Sequence, residues 1–315
     1  MATYHGVLQN TTQGVTACNY NLRQQILLFD KLILWGGKSS LERHKISLDT
    51  AKILGQQYYE YLLDFIDTLT YLHDQGIVTD ITLDFSELED DPEINDFRRK
   101  FTFHDKKGEI PQKPTKDKAK IMSMLKNNLI ADTFGTRAIS AYANRSSSNI
   151  RAIPLITDLY QSHNRSVQTK NDMLLITLKK LPVIDSSIPI KTVLDYKNDE
   201  NKSLEYLKLL NWINTMNKSG FSSHEFEDHI NYLIADYESN LKLHKLKYNY
   251  SLIQTVVNVG AEFIENAIRF KFKSATDAIF DIKKRKVEML TEEKKLPGSE
   301  VAYIVSSNNT FIKEN

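Results

Sequence analysis

The sequence has few of the residues that bend or cross-link a chain, with only 11 glycines, 7 prolines and one cysteine among 315 residues. An all-β fold needs many turns, which glycine and proline supply, so their scarcity favours a helix-rich fold. The single cysteine, Cys18, excludes an internal disulfide and a cysteine-rich zinc site. A lone thiol suits a reducing compartment, so we expect a cytoplasmic protein.

The chain also lacks an excess of charge of one sign and a long apolar run. Its 41 basic residues balance 40 acidic ones, so any attraction to nucleic acid or membrane lipid must come from a local cluster. No stretch approaches the roughly 18 apolar residues of a membrane-spanning helix. Residues 1–14 contain no apolar segment of a secretory signal. We therefore expect no transmembrane span, and no motif predicts a cofactor.

What is present divides into two stretches of different character. Strand-like segments at 14–18, 26–34, 151–156 and 172–184 accompany helical patterns at about 47–73 and 116–142, whereas helical patterns alone follow Pro182. The sequence predicts a helix-dominated α+β fold with a small N-terminal sheet. A mixed α/β domain spans 1–181 and contains a long charged loop at 84–120, and an all-helical bundle spans 182–315.

One helix of the second stretch has the clearest pattern. Its apolar residues recur at the spacing of a single buried face: Phe226, Ile230, Leu233, Tyr237 and Leu241. Ser222 and Glu225 form a capping box at its start. Further along, Ile253, Val257 and Ile264 belong to another apolar stripe, and a last helix is predicted over about 274–295.

Two motifs imitate known sites but have the wrong spacing. The sequence Gly36-Gly37-Lys38-Ser39 resembles the end of a phosphate-binding loop, but such a loop needs a glycine where Leu32 stands. The histidines of "HEFEDH", residues 224–229, resemble those of a zinc protease. Because they are five residues apart, they lie about 140° apart on a helix and cannot share one metal ion. No metal site is predicted.

A third motif imitates a metal-dependent nuclease. Asp185 and Asp195 would hold Mg²⁺, and Lys197 would assist the attacking water. This set requires Asp195 and Lys197 to project from one face of a strand. The apolar residues around them have helical spacing instead, which separates the two side chains by about 200°. Because the residue types match but the predicted geometry does not, a phosphodiester-cleaving enzyme is only the alternative to the leading function.

Two basic clusters are candidate binding sites. The first is interleaved with aromatic residues and suits nucleic acid or an acidic partner. It comprises Arg98, Arg99, Lys100, Lys106, Lys107, Lys113, Lys116, Lys118 and Lys120. The second lies in a basic amphipathic segment and suits an anionic membrane or a partner. It comprises Lys283, Lys284, Arg285 and Lys286.

The second half resembles a loose family of uncharacterised bacterial cytosolic proteins, in which an apolar segment leads to a "hD-(F/Y)-(R/K)-x-D" helix and then to a helix ending in tryptophan. The matching residues are Leu194, Asp195, Tyr196, Lys197 and Asp199, followed by Trp212, and "EVAYI" at 300–304. The resemblance spans at most 180–305 and carries no catalytic residue. It implies a bacterial cytosolic origin and, by association, an accessory or antiviral system.

The leading functional prediction is a non-enzymatic interaction or regulatory protein. Its partner is expected to be a protein, with nucleic acid as the alternative through the cluster at 98–120. A nuclease using Asp185, Asp195 and Lys197 and a peripheral-membrane effector using 270–290 are the rivals. The sequence predicts no oligomeric state.

Overall fold

The structure, a computed structural model, describes residues 3–8, 21–35, 48–49, 51–81, 136–155, 169–267, 284, 287–289 and 291–312. The chain forms two compact units that alternate along the sequence. Unit 1 comprises Met1–Asn171 and Val183–Lys197, and unit 2 comprises Asp172–Pro182 and Asn198–Asn315. The predicted boundary near residue 182 falls at one of the crossings between the units. The predicted fold class, a helix-dominated α+β chain with a small N-terminal sheet, is confirmed.

Unit 1 contains a four-stranded sheet in the order β3-β2-β1-β4. The strands are β1 (Thr3–Leu8), β2 (Lys31–Trp35), β3 (Val78–Ile81) and β4 (Ile150–Leu155), and all neighbours are parallel. Parallel neighbours require crossover connections. Helix α1 (Leu22–Leu28) connects β1 to β2, α2 (Gln56–Asp74) connects β2 to β3, and α3 at 136–146 precedes β4. Helix α5 (Ile190–Asn198) contributes most of its residues to this unit.

Both faces of the sheet are covered, which explains why β1 is buried from Tyr4 to Leu8. On one face, Val7, Ile33 and Ala152 pack against three α3 residues, Ala138, Ile139 and Ala143. On the other face the backbone of Gly6 approaches its neighbours closely. A Cβ atom there would lie 2.8 Å from the Leu155 side chain and 3.0 Å from that of Phe29, so this position requires glycine.

The free edge of β4 is closed by its own unit. The register places the backbone polar groups of Ala152 on the side away from β1. The side chain of Asn144 bonds both of them, accepting the Ala152 N–H at 2.8 Å and donating to the Ala152 carbonyl at 2.9 Å. Pro154 has no N–H to expose at the next outward position. This edge is therefore protected against pairing with another strand.

Unit 2 is helical in the described residues. Most of α4 (Thr169–Lys180) belongs to it, with α6 (Glu200–Lys218), α7 (Ser223–Ala267), a 3₁₀ turn at Ser299–Val301 and α8 (Ala302–Phe311). Aromatic rings join these helices, since the Trp212 and Phe226 rings lie 5.1 Å apart and the Tyr206 and Tyr303 rings 5.4 Å apart.

The pattern predicted for α7 is confirmed. Phe226 and Ile230 are fully buried, Tyr237 and Leu241 are also buried, and Leu233 is half-buried. At the start of the helix, the backbone N–H of Ser222 donates to the Glu225 carboxylate, and the Ser222 hydroxyl accepts the Glu225 N–H. This is the reciprocal arrangement of a capping box.

Three predictions of secondary structure are wrong. The apolar run at 26–34 is not one strand, because its first residues end α1, and 172–184 contains most of α4 rather than a strand. Apolar runs buried on all sides carry no period that separates strand from helix. The long helix predicted at 47–73 is broken at Gly55, whose φ of +140° lies outside helical geometry and is open to glycine alone. The segments predicted at 14–18, at 116–135 and at 274–283 lie outside the described residues.

Candidate functional site

The basic clusters fall almost wholly outside the residues that the structure describes. This applies to all nine cations from Arg98 to Lys120, to the charged loop at 84–120, and to Lys283, Arg285 and Lys286. Lys284 is described and is a helical, exposed residue. The residues that follow the carboxyl ends of the four strands, including the Gly36–Ser39 motif, also lie outside the described part.

The three candidate nuclease residues have separate structural surroundings. Residues Ile190–Asn198 form helix α5, so Asp195 and Lys197 project about 200° apart and the strand geometry is not formed. Asp195 is exposed and accepts a hydrogen bond from Lys191 at 2.6 Å on the same helix. The Asp185 carboxylate accepts the backbone N–H of Ser187 at 2.8 Å, in the turn before α5. Among the described residues no group of three or more histidine, cysteine, aspartate or glutamate side chains is placed to hold a metal ion.

Lys197 is instead a largely buried cap on another helix, with its side chain 13% exposed. Its ammonium group donates to the carbonyl of Ile26 at 2.8 Å and to that of Phe29 at 2.6 Å, at the C-terminal end of α1. Helices end with carbonyls that have no partner in the helix, and a cation is favoured there. Burial lowers the pKa of Lys197 to about 8, while the Asp30 carboxylate 4.0 Å away acts in the opposite direction.

The position of Lys197 argues for a structural role. Asp30 immediately precedes β2, and it pairs with the start of β1 through the Tyr4 N–H and carbonyl, each at 2.8 Å. Lys197 therefore lies at the amino edge of β2. In open parallel sheets ligands bind at the opposite edge, outside the carboxyl ends of the strands. The largely buried lysine fixes α5 to the C-terminal end of α1 and is not placed as a ligand-binding group.

A second buried cation holds the segment before α5. Arg23 donates two bonds of 2.7 Å to the Asp64 carboxylate of α2, and it also donates to the carbonyls of Ile188 and Ser186 at 2.8 and 3.2 Å. The pair thus joins α1, α2 and the residues before α5 within unit 1. Sequence reasoning missed Arg23. Its neighbours in sequence, Asn21, Gln24 and Gln25, are polar, so nothing marks Arg23 as a cation that becomes buried and requires a carboxylate partner.

In unit 2, α7 has two apolar faces. The buried face continues past Leu241 to His244 and Tyr248, which are 6% and 8% exposed. His244 Nε2 lies 3.0 Å from the Met289 carbonyl, so this face packs on residues near the chain end. Leu243 and Leu246 lie about 140–200° around the helix from Leu241 and are 63% and 58% exposed.

Cations surround the exposed leucines. Lys242, Lys245 and Lys247 are all exposed, and Lys247 lies 3.6 Å from the Glu292 carboxylate. Neither Lys242 nor Lys245 has a salt-bridge partner within the described part of the chain. We call the five residues Lys242, Leu243, Lys245, Leu246 and Lys247 the outer face of α7. It combines apolar area with the positive charge of Lys242 and Lys245, which have no acidic partner among the residues that the structure describes.

The histidines of the protease-like motif lie at the other end of α7. The ring of His229 is 5.9 Å from Trp212 and 6.0 Å from Phe221, so it belongs to an aromatic cluster. His224 is exposed in the first turn. The two therefore have different surroundings, as their five-residue spacing predicts.

None of the helices in the described residues is long and apolar enough to cross a membrane. Comparisons of the chain with protein-family models, with curated proteins and with solved structures found no match.

Proposed function

We propose that the protein is a non-enzymatic interaction protein of the cytoplasm that binds a helical protein partner through the outer face of α7. One observation carries this proposal: Leu243 and Leu246, one helical turn apart, are 63% and 58% exposed on the side away from the buried face. Leucines three residues apart are the spacing at which one helix packs against another.

The energetic scale supports a specific contact. Complete burial of a leucine contributes roughly 1.5–3 kcal/mol, so covering both leucines contributes several kcal/mol before the costs of association. The three lysines around them supply orientation and a faster encounter with a partner that carries acidic residues beside its apolar stripe. Singly scattered exposed apolar residues need no partner, whereas contiguous exposed apolar area rimmed by polar residues indicates an interaction site.

Two exposed leucines on α6 offer a comparison within the same unit. Leu204 and Leu207 are also three residues apart, but they are less exposed, at 45% and 39%. One of the flanking cations there, Lys202, is already paired with Glu205 at 3.0 Å. Of these two leucine pairs, the one on α7 therefore has the larger uncovered apolar area and the less compensated charge.

Site-specific photo-crosslinking tests the proposal. A benzophenone amino acid in place of Leu246 should form covalent protein adducts in cells, and the same group in place of Leu204 should form none or far fewer. Absence of adducts from position 246 would contradict the proposed function. Adducts with lipid alone would favour the membrane alternative instead.

A further inference from the structure

We infer that the pairing of β1 with β4 depends on a neutral His5 ring, so that mild acid opens the amino end of the sheet by protonating this histidine. The inference concerns unit 1 alone and is independent of the proposed function. His5 is a polar residue inside the buried strand β1 and is only 7% exposed. The surroundings of its two ring nitrogens suit the neutral ring and not the charged one.

One ring nitrogen belongs to a set of hydrogen bonds that joins the starts of β1 and β4. The Thr3 hydroxyl donates to the Asn149 carbonyl at 3.3 Å, which leaves the hydroxyl oxygen as an acceptor. Nε2 of His5 lies 3.1 Å from that oxygen. The arrangement assigns the single ring hydrogen of the neutral histidine to Nε2, so Nδ1 carries none.

The other ring nitrogen, Nδ1, is shielded from solvent and has no hydrogen-bond partner among the described residues. Side chains alternate along a strand, so His5 lies on the same face of β1 as Val7, where the sheet packs against α3. A neutral acceptor can remain there at moderate cost. A charged N–H without an acceptor costs far more, because neither water nor a protein oxygen offsets its charge.

Two charged groups act on the ring, and both come from the side of β2. Burial has the largest effect and lowers the pKa of His5, the Asp30 carboxylate before β2 raises it, and Lys31, the β2 residue in register with His5, lowers it. From β4, the residue in register is Ala152. From α3, the titratable group packed on this layer is the phenol of Tyr142, which carries no charge in acid. The net effect therefore favours the neutral ring.

The direction of the pH effect follows from this lowered pKa. An unfolded histidine titrates near pH 6.5, so just below that pH an opened chain takes up the proton while the folded chain does not. The contribution of His5 to the pairing is complete above about pH 6.5 and is lost as the pH falls towards its folded pKa. In that interval the equilibrium constant for opening rises by up to about tenfold for each pH unit.

Hydrogen exchange of the full chain tests the inference, when it is followed by mass spectrometry and corrected for the intrinsic rate at each pH. Between pH 6.5 and 5.5, peptides from β1 and β4 should lose protection by roughly three- to tenfold, and those from α6 should keep theirs. His5→Gln places an amide near Nε2 and cannot take up the proton, so its β1 and β4 should show no such loss. His224→Gln removes an exposed histidine of unit 2 and should behave as wild type.

Two results of this experiment would overturn the inference. One is unchanged protection of β1 and β4 in wild type over the interval, and the other is a loss that persists in full in His5→Gln. The wild-type chain supplies a second test even if His5→Gln does not fold. With ¹⁵N-labelled histidine, His5 should carry its hydrogen on Nε2 at pH 7.5 and titrate below pH 6.5, and Thr3→Val identifies its signal by shifting it. A hydrogen on Nδ1, or a midpoint at or above pH 6.5, would contradict the inference.

Discussion

The two units depart from the simple rule of apolar interior and polar surface in opposite directions. Unit 1 holds two cations of low exposure, Arg23 and Lys197, where its last segment packs against α1, and their side chains are 8% and 13% exposed. Unit 2 exposes two leucines, Leu243 and Leu246, on its longest helix. The two cations have carboxylate and carbonyl partners inside unit 1. The two leucines are not covered by any described residue of unit 2.

This difference indicates a structural role for the two cations and a candidate functional role for the two leucines. A buried cation with its partners in place is a fixed part of the fold, because removing one partner leaves the other without compensation. An exposed leucine contributes little to the stability of the isolated chain, so two of them one helical turn apart are free to be covered by a partner at little cost to the fold. The cations Arg23 and Lys197 of unit 1 are therefore structural, and Leu243 and Leu246 of unit 2 are the candidate functional residues.

The largest expected effect contrasts the two faces of α7. Ile230→Ala should lower the free energy of unfolding by about 2–5 kcal/mol, because Ile230 is fully buried and its truncation leaves a cavity. Leu246→Ala on the outer face should change it by less than about 0.5 kcal/mol at concentrations where the chain is monomeric. Denaturant unfolding followed by circular dichroism measures both. Equal losses from the two variants would show that α7 does not have one buried and one free face.

The next effect concerns the buried pair of unit 1. Arg23→Met should destabilise the chain by about 3 kcal/mol, because it leaves the Asp64 carboxylate and the carbonyls of Ser186 and Ile188 without their donor. Lys52→Met removes an exposed ion pair with Asp49 and serves as the control, with no resolved change expected. A wild-type unfolding midpoint for Arg23→Met would show that the contacts of Arg23 contribute nothing net.

Much of this fold was predictable where a helix has one polar and one apolar side. The capping box at Ser222 and the stripe from Phe226 to Leu241 follow from the residue spacing alone. This is because the opposite face of this part of α7 is polar and exposed to solvent, so the apolar residues recur with a helical period. Helix α1 was not predictable in this way, because six of its seven residues are buried and its run "LRQQILL" shows no period. Its start is marked only by Asn21, whose side chain accepts the Gln24 N–H.

The place of the candidate site could not be predicted from the sequence, and its function stays a prediction. The sequence predicted an interaction protein and assigned its contacts to basic clusters around 98–120 and 283–286, most of which lie outside the described residues. Leu243 and Leu246 were not singled out, because exposure is a property of the packed unit and both faces of α7 are apolar in sequence. The sequence also could not show that Lys197 is buried, because its partners are carbonyls at Ile26 and Phe29, about 170 residues away.

The pH dependence of the unfolding free energy tests the lowered pKa of Lys197. Its pKa is about 8 in the folded chain and near 10.5 when unfolded. Between these values the unfolded chain binds the extra proton, so stability should rise with pH, with a slope approaching about 1.4 kcal/mol per pH unit and a total of about 2–3 kcal/mol. Below pH 8 the lysine is charged in both states and the slope from this group vanishes.

The variant Lys197→Met isolates this contribution. Other lysines and tyrosines also titrate near pH 10, so the quantity to measure is the difference in unfolding free energy between wild type and variant. That difference should shift in favour of wild type as the pH rises from 8 to 10.5. A difference that stays constant over this range would mean that the buried ammonium has an ordinary pKa.

The smallest effect is expected at the residue that the nuclease hypothesis makes essential. The side chain of Asp195 is 64% exposed, and among the described residues its salt-bridge partner is Lys191, whose side chain is 69% exposed. Surface pairs of this kind contribute little because water competes with both partners. Asp195→Asn should therefore leave the unfolding midpoint unchanged.

The same samples also test the nuclease hypothesis. With Mg²⁺ and single- or double-stranded nucleic acid, we expect no hydrolysis by either the wild-type protein or Asp195→Asn. A Mg²⁺-dependent cleavage that disappears in Asp195→Asn while Lys191→Met retains it would reverse the comparison between the units and place the function in unit 1.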